Sequence, residues 1–96
     1  MANTVRHERR EQLLIWLYDQ PLTFSELEAM ALDCPHVRFN RWEFKEELGE
    51  LRRRGLVVST QGDLLEPSAR WSMTFAGQVR IEQAAERIRL AQRRAR

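Results

Sequence analysis

Two matched helix-start signals, one at Thr23 and one at Asn40, restrict what this chain can fold into more than any other feature. Thr23 is followed three residues later by Glu26, and Leu22 and Leu27 occupy the two positions of a hydrophobic staple. Asn40 and Glu43, flanked by Phe39 and Phe44, repeat the device. In each box the first side chain accepts a bond from an amide that the first helical turn leaves unpaired, and the glutamate reaches back in return. Proline separates them. Pro21 stops whatever helix precedes Thr23, and Pro35 removes a donor and disfavours helical geometry at Cys34, so the helix beginning at Thr23 ends near Asp33. Two helices joined by a short turn are the expected centre of the fold.

The flanking segments complete the order. Val5 to Gln20 consists mostly of good helix formers, with Leu13, Leu14, Trp16, Leu17 and Tyr18 clustered late, and reads as helix 1. In helix 3, Phe44, Leu48 and Leu51 step i, i+4, i+7 and form one core-facing stripe, and Gly55 suits a left-handed cap. Leu56 to Thr60 is β-branched and reads as a strand, and Arg70 to Thr74 alternates as a second, with Trp71 and Met73 on one face. Thr74 then caps a last helix from Phe75 to about Arg94.

Size and charge bound the function. With 96 residues, one domain spanning residues 1–96 is the expectation, its C-terminal helix starting at about residue 75. No apolar h-region follows Met1 to Thr4 and no apolar run is long enough for a bilayer, so a cytoplasmic location away from membranes is expected. Cys34 is the sole cysteine, which excludes an internal disulfide. The net charge of +2 conceals an asymmetry: residues 1–50 sum to −4 and residues 51–96 to +6. Such polarity suits a docking surface. Among 16 basic residues only Lys45 is lysine, and the arginine fork matches phosphate and carboxylate, although biased codon usage gives the same surplus.

The stretch Leu22-Thr23-Phe24-Ser25-Glu26-Leu27 and the later Leu48-Gly49-Glu50-Leu51-Arg52-Arg53-Arg54-Gly55-Leu56-Val57 resemble the winged helix-turn-helix DNA-binding family, and within it the small dimeric transcriptional regulators. The phrase Trp71-Ser72-Met73-Thr74-Phe75-Ala76-Gly77 is similar to the one by which such regulators leave the wing and enter their C-terminal helix. The resemblance covers roughly residues 8–80. It implies an α+β fold with a three-helix core, a two-stranded β-wing and a C-terminal helix. It also implies that helix 3 enters a DNA major groove while the wing touches the backbone.

On that reading Arg41, Trp42, Lys45, Gly49, Arg52 and Arg53 belong at the groove, and Arg54 and Arg70 on the phosphate backbone. Trp42 is also expected to fold back beside Phe39 as core, with stacking on sugar or on a partner as the alternative. Glu43, Glu47 and Glu50 flank the helix on one side and Glu46 shares its outer face, which opposes binding to phosphate. The wing loop Gln61 to Ala69 has no base, and Leu64 and Leu65 are expected to cover the core. In the last helix Ile81, Ala84, Ile88, Ala91 and Ala95 form a short a/d seam for a homodimer, or for packing on helix 1.

The rival to a DNA-binding regulator is a non-enzymatic protein-interaction module, displaying Trp42, Leu64 and Leu65 and steering a basic partner with the acidic flank of helix 3. An enzyme is not expected. The sequence has no phosphate-cradling glycine loop, no nucleophile elbow and no paired-histidine zinc helix. Cys34 and His36 lack further ligands, so neither a metal nor a cofactor is expected.

Overall fold

The computed structural model describes residues 2–62 and 65–94. The elements run α1 (Ala2–Asp19), β1 (Leu22–Thr23), α2 (Phe24–Leu32), α3 (Arg41–Arg53), β2 (Val57–Ser59), β3 (Arg70–Met73) and α4 (Phe75–Arg94). Both expected capping signals work. Thr23 Oγ1 accepts from the Glu26 amide at 3.1 Å while Glu26 Oε1 accepts from the Thr23 amide at 2.9 Å. Those bonds favour the ionised glutamate, chiefly through the Thr23 amide, and hold its carboxyl below the usual range. At α3, Asn40 Oδ1 accepts from the Glu43 amide at 2.7 Å, but Glu43 reaches back to the Asn40 side-chain Nδ2 rather than to its amide.

One strand departs from expectation. Leu22 and Thr23, read as a staple and a cap, also form the two-residue β1, which pairs antiparallel with β3 through Leu22↔Trp71 and Thr23↔Arg70. The sheet therefore has three strands in the order β1-β3-β2 rather than two. Two residues show no period, and their partners are far along the chain, so no local pattern announces such a strand. The seam continues where the Phe24 amide donates to Ala69 O at 2.8 Å and the Ser25 amide to Pro67 O at 3.1 Å. β2 meets β3 through Val57↔Met73, Val58↔Ser72 and Ser59↔Trp71.

The core gathers around Trp71 and Phe44, with Leu13, Leu14, Leu27, Leu48 and Leu51 fully buried beside them. Phe44 packs on Phe24 with ring centroids 5.3 Å apart, whereas Phe39 leans on Trp16 at 6.1 Å. The expected helix 3 stripe is thus the centre of the interior. α4 is fastened to the opposite end of the ribbon. Thr74 Oγ1 donates to Gly55 O at 2.7 Å and accepts from the Gly77 amide at 3.2 Å, and the Thr74 amide donates to Leu56 O at 3.0 Å. Gly55 takes φ 75°, the left-handed cap that lets the chain leave α3 and meet this latch.

Two α1 arginines set how α3 lies. Glu47 is only 3% exposed, and Arg10 Nε stands 3.4 Å from its carboxylate. Arg9 pairs with Glu43 one turn earlier and also donates through Nε to Arg38 O at 2.8 Å, tying α1 to the loop that leads into α3. This corrects the expectation that Glu43 and Glu47 form an open acidic flank. Their i, i+4 spacing places both on one side of α3, and that side rests on α1.

Two outcomes follow from this packing. A Cβ at Gly77 would lie 2.2 Å from Leu56 O, a backbone atom that cannot swing away. Gly77→Ala should therefore cost about 1–3 kcal/mol in chemical denaturation; an unchanged midpoint would contradict the close approach. Arg10→Met leaves the Glu47 carboxylate buried without its cation and should cost about 2–3 kcal/mol, while Arg10→Met with Glu47→Leu should recover most of that loss. A double variant as unstable as Arg10→Met alone would contradict the pairing.

Candidate nucleic-acid interface

With Phe44, Leu48 and Leu51 committed to the core and Glu43 and Glu47 to α1, the remaining side of α3 faces outward. Arg41, Trp42, Lys45, Glu46 and Arg53 are exposed on it, and Gly49 is partly so. Trp42 is 67% exposed, which overturns the expectation that it folds back beside Phe39. Phe39 packs instead against Trp16 at the edge of the core.

Glu50 governs the last turn. Its Oε2 accepts from Arg53 Nη2 at 2.9 Å and Nε at 3.2 Å, and its Oε1 accepts from Arg54 Nε at 2.8 Å. The Arg54 bond first, and then that of Arg53, holds the Glu50 carboxyl below the usual carboxylate range, so it is charged at neutral pH. Both guanidiniums are well exposed, at a surface where such pairs form and break readily. Any phosphate brought to this turn would have to compete with Glu50 for two forks at once.

The other expected contacts separate. Gly49 is free of constraint from its own chain: a Cβ there would meet only Arg53 Nη1, at 3.5 Å. Arg52 is partly covered and reaches toward the turn after β2, where a Cβ on Gly62 would lie 3.7 Å from its Nη2. Arg70 is exposed on β3 opposite Thr23, and its charge bears on Glu26 at the start of α2. Arg41, Trp42, Lys45, Gly49 and Arg53 therefore lie along the outer side of α3 with Arg54 as its C-cap, while Arg52, also on α3, turns toward the loop after β2 and Arg70 stands on β3. Leu65 is 38% exposed and does not close the core as expected, and Leu64 lies outside the described residues.

On α4 the seam divides. Ile81 packs against the chain's own core and Ala84 is partly covered, whereas Ile88 and Ala91 are exposed. Ala95 lies outside the described residues. Tyr18 donates to Glu82 Oε1 at 3.0 Å, and this bond, with the carboxylate's charge, raises the phenol above its usual value. Phe75, 81% exposed at the first position of α4, was not anticipated; its neighbour Thr74 draws attention as a cap, and nothing in the local pattern marks the ring as outward. Arg9 and Arg10 were also missed. Their signal is present in the sequence, as adjacent cations one turn before an apolar cluster facing glutamates spaced i, i+4.

Cys34 and His36 line an open groove between α1 and α2, and among the described residues no three His, Cys, Asp or Glu side chains converge on a metal position. Among those residues, too, no helix is long and apolar enough to cross a membrane.

No protein-family model and no curated protein matches the sequence. Among solved structures, the chain is similar to a protein from Thermoplasma acidophilum provisionally described as a transcriptional regulator, with a TM-score of 0.69 and 17% identity. That superposition covers 95% of this chain and 89% of the other. At this identity the likeness speaks for fold alone: the α+β arrangement of helices around a small antiparallel sheet described above.

Proposed function

We propose that this chain is a small, non-enzymatic DNA-binding regulator of the cytoplasm, dimeric through α4, that reads duplex DNA with the outer face of α3. The observation that carries this reading is the internal neutralisation of α3: Arg9 and Arg10 absorb Glu43 and Glu47, so the outer face presents Arg41 and Lys45 against Glu46 alone before the last turn. Lys45 and Arg41 engage phosphate, Trp42 stacks on sugar, and Gly49 lets the backbone approach the groove. Arg53 addresses a base edge and Arg54 the backbone once Glu50 releases them. Arg52, in the last turn of α3, stands beside this face, and Arg70 flanks it from β3. α2 offers only Glu26 and Glu28 as charges, so the grip rests on α3 rather than on both helices.

The exposed Trp42 also suits a protein partner. The acidic flank that would steer a basic partner to α3, however, is consumed by α1. Titrating labelled mixed-sequence duplexes at two salt concentrations separates the readings. Affinity should fall steeply with salt, because cations on α3 displace counterions. Glu50→Gln removes one like charge beside the phosphates and should tighten binding about fivefold, the equivalent of roughly 1 kcal/mol at such separations. Lys45→Glu should weaken it about tenfold or more. Absence of any complex at low salt, or a Glu50→Gln protein that binds no better than the parent, would contradict the proposal.

A further inference from the structure

The surface formed by the second half of α1 and by α2 has two properties together. It is apolar along its floor: two adjoining cavities of about 580 Å³ each share Trp16, Ala29 and Met30, and Ile15 extends one of them. It is also predominantly acidic: no lysine or arginine occurs from Glu11 to Val37, Asp19, Glu26 and Asp33 line the groove, and beside them stand only His36 in the lining and Arg70, whose charge reaches Glu26 from β3. Such a groove fits a short amphipathic helix with cationic flanks and repels nucleic acid.

The end of α4 has the complementary character. From Ala85 to Arg93 every residue is exposed, and from Arg87 to Arg94 the helix carries four arginines and no acid. Ile81, Ala84, Ile88 and Ala91 fall on one stripe; Ile81 uses it against its own core, and two turns later Ile88 is 57% exposed on the same side. A helix end without tertiary contacts is marginal in water, so the continuation of the stripe calls for a second surface. Lengths agree as well: Arg87 to Arg94 spans about 12 Å and the nine residues of α2 about 13 Å.

We infer that the end of α4 from one copy of this chain lies in the α1–α2 groove of a second copy, Ile88 and Ala91 against Trp16 and Met30, with Arg87 and Arg93 beside Asp33 and Asp19. Reciprocal insertion gives a closed two-fold dimer. The inference rests on the dimeric reading above and names the surface that serves it. Pairing α4 with α4 would instead place the two arginine-rich ends in one interface and leave the acidic groove empty.

Cys34, the sole cysteine, lines the groove and supplies the test. The parent, Ala91→Cys, and Ala91→Cys with Cys34→Ser are treated with a short bismaleimide, while light scattering reports the mass of each untreated protein. The inference expects a dimeric mass in all three, covalent dimer from Ala91→Cys, and none from the parent or from the protein lacking Cys34. Ile88→Asp should weaken the dimer about tenfold or more by placing an unpaired charge in an apolar contact. Covalent dimer without Cys34 would mean that α4 meets α4; covalent dimer from the parent would mean that groove meets groove. Either result, or a dimeric mass with no cross-link, overturns the groove assignment. A monomeric mass overturns the dimeric reading itself, and neither outcome touches DNA binding.

Discussion

The pairing of Arg9 and Arg10 with Glu43 and Glu47 is the constraint on which the molecule's arrangement depends. A helix with four glutamates and four basic residues has no obvious docking direction, and its hydrophobic stripe alone allows some rotation about its axis. The arginines of α1 remove that freedom. Glu47 is buried in the contact, so separating the helices would strand a carboxylate away from water, and Glu43 adds a favourable charge at the first turn of α3. The ribbon and α4 then follow from the end of α3, through the left-handed Gly55 and the Thr74 latch onto Gly55 O and Leu56 O.

Much of this was legible in the sequence because its signals are local. Thr23 and Asn40 announce their helices by bonds that close within three residues, and Phe44, Leu48 and Leu51 reveal the buried side of α3 by spacing alone. What escaped depends on partners distant along the chain. β1 exists only because Leu22 and Thr23 find β3, and the fate of Glu43 and Glu47 is decided by residues more than thirty positions earlier. Trp42 was misjudged for a related reason: whether a large ring is inside depends on what packs around it, and Phe39 packs against Trp16. Within the candidate site, the face carrying Arg41, Lys45 and Gly49 was readable from the helical period, while the hold of Glu50 on both Arg53 and Arg54 was not, because rotamers rather than spacing choose among neighbouring carboxylates.

Charge organises the surface into regions of different use. The side formed by the second half of α1 and by α2 is mainly acidic, the outer side of α3 is weakly basic once Glu43 and Glu47 are absorbed, and the end of α4 is strongly basic. On the proposed reading an acidic rear helps to orient a polyanion toward α3, since repulsion from the wrong side biases an encounter. Glu50 has a matching place in this scheme. It pairs with both Arg53 and Arg54 in the free protein, and on the proposed reading it sets an opposing charge against an arriving phosphate.

The central claim is that the outer side of α3 is the surface that meets duplex DNA. Amide and indole NMR shifts of the isotope-labelled protein, followed during titration with a mixed-sequence duplex at low salt, test it most directly. The account predicts changes concentrated at Arg41, Lys45, Gly49, Arg53 and the Trp42 indole, with Asp19 to Asp33 unmoved. Changes confined to the α1–α2 side, or spread evenly over the chain, would contradict it.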